Sequence, residues 1–180
     1  RLERPSSRPL YLFPTKGLSH DQYRGLYDMT TALGHDIRVY TFDGDPAACA
    51  SRGIREAGQI VVANLDMLHS GILPNHTRWV NLFENLDTIV IDELHQYRGV
   101  FGSNVANVIR RLRRICAFYG SNPNFICCSA TIANPGEMAE RLVGEPFKVI
   151  EDNGAPRGER VVVLYQLSEV RRSGGVRVSW

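Results

Sequence analysis

The sequence is nearly without lysine: of its 21 basic residues only Lys16 and Lys148 are lysines, and the others are arginine. A phosphate-cradling loop needs G-x-x-x-x-G-K followed by Ser or Thr. Lys16 follows Thr15 and Lys148 follows Phe147, so neither stands in such a loop. No apolar run approaches the ~18 to 20 residues of a membrane span, and no signal peptide precedes the first strand, so no membrane partner is expected. Cys49, Cys116, Cys127 and Cys128 show no C-x-x-C spacing. That pattern reads as buried, reduced thiols of a cytoplasmic protein, with Cys127 and Cys128 on opposite faces of one strand. His20, His35, His69 and His76 are scattered, which argues against a zinc site. A strong charge of one sign is also missing. The net charge of +2 neither demands nor excludes a nucleic-acid partner.

What is present is a chain of 180 residues, 43% apolar and 22% charged, enough for one globular domain with a sizeable core. It opens at Arg1 rather than methionine, so an upstream part is expected to be missing. Residues 1–9 read as a linker or remnant. Leu10 to Phe13 is a short apolar strand stopped by Pro14, and a helix over Gly17 to Leu33 ends at Gly34. Ile37 to Phe42 and Ile60 to Ala63 are further strands, with an Asp43-Gly44-Asp45-Pro46 turn and a small-residue helix to about Ala57 between them. Short helices flank Pro74 and lead into the strand Thr88-Ile89-Val90-Ile91.

Val105, Val108, Leu112, Ile115 and Tyr119 then mark one helical face, and Arg110, Arg111, Arg113 and Arg114 occupy the others as a solvated charged surface. The strand Phe125 to Cys128 follows. Asn134 caps a helix from Pro135 to about Val143. Phe147 to Ile150 and Val161 to Tyr165 are expected to complete the strands, and residues 169–180 carry no clear pattern. Apolar runs separated by helices, without an internal repeat, predict an α/β fold of three layers, with a mostly parallel sheet covered on both faces.

Polar groups cluster at four strand ends: Pro14-Thr15-Lys16, Ala63-Asn64, Asp92-Glu93-Leu94-His95 and Ser129-Ala130-Thr131. A parallel sheet puts all four on one edge, where ligands bind. Burying an unpaired carboxylate costs several kcal/mol, roughly, so two adjacent acids belong where a cation or a reacting group compensates them. The pair suits magnesium-assisted phosphoryl chemistry, one acid holding a hydrated Mg²⁺ and the other orienting a water. The Ser129 and Thr131 hydroxyls are placed to hydrogen-bond with His95 or the acids.

Pro14-Thr15-Lys16-Gly17-Leu18, Asn64 to His69, Asp92-Glu93-Leu94-His95 and Ser129-Ala130-Thr131 resemble motifs Ia, Ib, II and III of superfamily 2 helicases in order and spacing. Tyr97-Arg98-Gly99-Val100-Phe101-Gly102-Ser103, Cys128 to Pro135 and Asn153 to Glu159 are similar to the DEAD/DEAH-box DNA-repair helicases of the YprA (MrfA) type. The resemblance runs from about Leu10 to Tyr165. It implies a RecA-like domain over residues 10–168, lacking its first strand and phosphate-binding loop, which family members carry upstream of Leu10. It implies that ATP and Mg²⁺ are cofactors of the full-length protein, with Asp92 on the metal through water and Glu93 activating the hydrolytic water. His95, Ser129 and Thr131 would couple hydrolysis to movement. Pro14, Thr15, Lys16, Asn64 and Asp66 would lie along DNA, and a second RecA-like domain would be the other partner. Ala63 and Leu65 depart from the threonine and proline more usual in motif Ib. Two other classes stay open on the residues alone: an unrelated Mg²⁺-dependent phosphohydrolase and a non-catalytic nucleic-acid-binding module.

Overall fold

The computed structural model describes residues 6–34, 37–42, 59–151, 154, 158, 161–164, 170–172 and 175–177. The expected turn at 43–46 and the helix after it lie outside these residues, as do His35 and Cys49. Five strands, β1 (Arg8–Phe13), β2 (Val39–Phe42), β3 (Ile60–Asn64), β4 (Leu86–Ile91) and β5 (Asn124–Cys127), form a parallel sheet in the order β2-β3-β1-β4-β5. Every pairing in it is parallel, so the four polar strand ends share one edge, as expected.

Strand alternation divides the core into two layers. Leu10, Leu12, Val61, Ala63, Ile89 and Ile91 face the larger cluster, which includes Leu68, Phe83, Ile109 and Leu112. Phe13, Ile60 and Val62 face the smaller one, packed by Leu18, Tyr23 and Leu26 of α1 (Lys16–Ala32). Helix α1 therefore covers one face, while α2 (Val80–Glu84), α3 (Gly99–Phe118) and α4 (Pro135–Val143) serve the other. Because β1 and β4 are adjacent strands whose following helices lie on opposite faces, a crevice opens outside their carboxyl ends. Asp92 stands there.

Several boundaries differ from the sequence expectation. Strand β1 begins at Arg8 rather than Leu10, with the Arg8 N–H donating to Asn85 O at 2.9 Å and Ser7 bonding Asp87. Pro9 sits at a register shift in the ladder, one of the few ways a central strand admits proline. Between β3 and α2 the chain makes an α turn (Leu65–Met67), a π turn (Leu68–Ile72) and a 3₁₀ segment (Leu73–Arg78) rather than plain helices around Pro74. Phe147 to Ile150 forms no strand, and Val161 to Leu164 lies exposed without strand pairing. A β-prone run becomes a strand only where another strand offers a ladder and a face to pack on.

The chain divides into two compact units, Arg1–Val149 and Ile150–Trp180. The second carries an antiparallel pair, β6 (Val170–Arg172) and β7 (Gly175–Arg177), where no pattern was legible. Among the described residues no helix is long and apolar enough to cross a membrane.

Candidate active site

Strand β4 delivers the acid pair. The Asp92 N–H still donates to Leu12 O of β1 at 3.0 Å, so its backbone belongs to the sheet while its side chain stands half-buried at the rim. Glu93 turns away sharply with φ 54° and ψ 42°, the non-glycine residue at positive φ among the described residues. That conformation costs an L-residue roughly 1–2 kcal/mol, and surrounding bonds hold it. The Glu93 N–H donates to Asp92 Oδ1 at 2.9 Å. On either side of the kink, Cys128 N–H donates to Ile91 O and Leu94 N–H to Cys128 O, each at 2.9 Å. Leu94 is buried in the core, so the kink is anchored from below.

His95 links the second acid to the end of β5. Its Nε2 lies 3.2 Å from Glu93 Oε2, and its Nδ1 accepts the Ala130 N–H at 3.3 Å. A backbone amide can only donate, so the nitrogen facing it carries no proton, and the ring proton sits on Nε2, aimed at Glu93. The sequence assigned this link to the hydroxyls of Ser129 and Thr131. The structure gives it to the Ala130 amide, and both hydroxyl side chains are exposed. Backbone donors leave no composition signal, which is why the sequence pointed to the neighbouring hydroxyls.

The remaining predicted residues take their expected edge. Thr15 caps α1, its Oγ1 accepting the Leu18 N–H at 3.4 Å, and Thr15 and Lys16 are exposed beside half-buried Pro14. Asn64 is buried, and its Oδ1 caps the next turn through the Met67 N–H at 2.8 Å, whereas Asp66 is exposed. Asn134 flanks α4 as expected, but its amide donates to Glu137 Oε2 at 2.8 Å rather than accepting a backbone N–H.

The arginine cluster divides. Arg113 is structural, donating to Val143 O at 2.9 Å and pairing with Glu145 at 3.1 Å. Arg111 and Arg114 instead line a groove of about 520 Å³ with Asp66, His69, Asn104 and half-exposed Phe101.

Thiols surround the acids without offering a nucleophile. Burial pushes Cys127 up to about 12. Burial, then the Asp92 charge, raises Cys128, which is exposed rather than buried as the sequence suggested. Sequence reading gave no role to Tyr97, which is buried within electrostatic reach of both acids.

Among the described residues no three His, Cys, Asp or Glu side chains gather as a metal site. The edge offers two hard carboxylates, which suits Mg²⁺. That ion keeps most of its waters and takes its other ligands from phosphates. With Asp92 Oδ1 engaged by the Glu93 N–H, Oδ2 is the oxygen that would face such an ion or its waters.

A parallel sheet covered on both faces, with paired acids at its carboxyl edge, is the architecture of a RecA-like domain. Residues 1–138 match the family model described as DEAD/DEAH box helicase, and the chain belongs to that family. It is 56% identical over 174 residues to the uncharacterized ATP-dependent helicase YprA of Bacillus subtilis (strain 168), covering 97% of this chain and 23% of that protein. It is 39% identical over 168 residues to the ATP-dependent helicase hrq1 of Schizosaccharomyces pombe, covering 91% of this chain and 16% of that one. The crystal structure of the DUF1998 helicase MrfA bound to DNA and AMPPNP superposes with a TM-score of 0.83 at 59% identity, over 87% of this chain and 22% of that chain. The chain thus spans less than a quarter of the length of these relatives.

Proposed function

We propose that this chain is part of an ATP-dependent DNA helicase motor, and that Asp92 and Glu93 are its hydrolytic acids. The observation that carries the reading is the kinked acid pair at the sheet crevice, with Glu93 tied through His95 to the amide that follows β5. Asp92 would hold the Mg²⁺ of Mg-ATP through water. When bound, that ion neutralises charge on the phosphate oxygens. Glu93 takes the proton of the attacking water, and His95 fixes the carboxylate that receives it. Because His95 bonds the Ser129–Thr131 segment through Ala130, a change at the acid is felt there, which gives Ser129 and Thr131 their coupling role.

The nucleic-acid face consists of Pro14, Thr15, Lys16, Asn64 and Asp66. The α1 N-terminus and the capped turn after β3 present backbone N–H groups to phosphates. Asn64 spends its oxygen on the cap, so its amide group is what remains for the strand. The MrfA structure contains DNA, and the similarity to helicases of that type supports DNA as the partner here, with a second RecA-like domain closing over the crevice and DNA repair as the process served.

Two measurements test this. Assayed by itself, the segment is expected to show neither ATP hydrolysis nor unwinding, because its sequence has no G-x-x-x-x-G-K-[ST] loop and phosphoryl transfer depends mostly on positioning and charge stabilisation. DNA-stimulated hydrolysis by the segment, abolished by Glu93→Gln, would contradict that. Single-stranded DNA binding should weaken with salt, and the log–log slope should shrink by about 0.7 for each phosphate-contacting arginine removed. If the face continues past Asp66 along the groove lined by Arg111 and Arg114, Arg111→Ala and Arg114→Ala lower it, while a slope unchanged in the double variant confines the DNA to the five residues named above.

A further inference from the structure

Among the described residues two buried side-chain atoms lack a hydrogen-bond partner, Asp87 Oδ1 and the Tyr97 hydroxyl. Asp87 has its other oxygen bonded by Ser7. Tyr97 has no such compensation, and buried polar groups are so regularly paired that an orphan calls for a reason.

Packing does not supply one. The Tyr97 ring lies 5.9 Å from that of Phe101 and joins the main core at 4% exposure, contacts that a phenylalanine would make equally well. The hydroxyl is held inside by the packing of the ring, and the backbone that carries it is fixed as well. The Tyr97 N–H donates to Leu94 O at 3.1 Å, and the first turn of α3 closes so tightly on its carbonyl that Gly102 has no room for a Cβ. After burial, the strongest influences on the phenol are the charges of Asp92 and then Glu93, and both keep it protonated. A protonated phenol held near two carboxylates is a hydrogen-bond donor. Asp92 Oδ2 is an acceptor without a partner among the described residues.

We propose that Tyr97 is a positioning residue of the acid pair, whose O–H, through one enclosed water, fixes the orientation of the Asp92 carboxylate. The proposal rests on the reading of Asp92 and Glu93 given above. Tyr97 touches neither nucleotide nor water under attack. It sets the direction in which Asp92 presents the remaining lone pair of Oδ2.

Tyr97→Phe keeps the ring and deletes the donor. In a double-mutant cycle in an intact helicase carrying this segment, Tyr97→Phe is expected to lower Tm by a few degrees, and that loss should vanish in an Asp92→Ala background. An unchanged or raised Tm, or the same change in both backgrounds, would overturn the proposal. In an intact helicase carrying this segment, Tyr97→Phe should lower kcat about 10-fold, leave KM for ATP unchanged and raise the Mg²⁺ concentration for half-maximal rate. Unaltered kcat and Mg²⁺ dependence would also overturn it. The thermal cycle contains no nucleotide, so it still decides the Tyr97–Asp92 link if Glu93→Gln leaves turnover intact and the hydrolytic reading fails.

Discussion

Glu93→Gln, in an intact helicase carrying this segment, is expected to lower ATP turnover by about 10²–10⁴-fold, the range associated with a lost general base. The substitution is nearly silent for structure. Glutamine occupies the same volume, carries the same left-handed backbone cost as glutamate, and its amide oxygen accepts the His95 Nε2–H that Glu93 Oε2 accepts now at 3.2 Å. What it cannot do is take a proton. Thermal stability and nucleotide affinity should therefore stay close to wild type while turnover collapses. Steady-state ATPase measured beside nucleotide binding makes the distinction, and turnover retained within a few-fold would remove Glu93 from the chemistry.

Gly102→Ala is expected to be the most damaging small substitution in the domain. In the interior of an ordinary helix, alanine is favoured over glycine by roughly 1 kcal/mol. Here a Cβ would meet the Tyr97 carbonyl oxygen at 2.3 Å and its carbon at 2.6 Å. Those are backbone atoms, unable to rotate aside as a side chain would. Overpacking costs about 1–3 kcal/mol where side chains absorb it, and more where they cannot. The clash therefore outweighs the helix preference, with a net loss near 3 kcal/mol and a Tm lowered by roughly 6–12 °C. Thermal unfolding decides it, and a Tm at or above wild type would mean that α3 begins with a looser turn.

Wherever a residue type carried its own physical signature, the sequence was legible. Pro135 opens α4 and Gly34, at φ 67°, ends the turn after α1, because fixed and left-handed backbones leave few alternatives. The acid pair stood out because an unpaired carboxylate is costly to bury at the end of an apolar run. Legibility failed where the outcome depended on neighbours. Val161 to Leu164 has the composition of a strand and no ladder. Pro9 fell in the stretch read as a linker or remnant, but a register shift admits it to the most central strand. At the site, the Ala130 amide and the tightness at Gly102 are backbone facts that no side-chain pattern reports. Tyr97 lay within the stretch similar to the helicases, yet its importance is visible only once burial leaves its hydroxyl unpaired.

Among the described residues strand β5 ends the sheet with one neighbour, and its Ile126 side chain is 50% exposed. An unpaired parallel edge carrying an apolar residue is a template for another chain, and two copies meeting along it satisfy backbone groups that otherwise bond to water. For the isolated segment, concentration rather than temperature is then expected to govern how long it stays dispersed. A charge at position 126 is the gatekeeper that would keep it so.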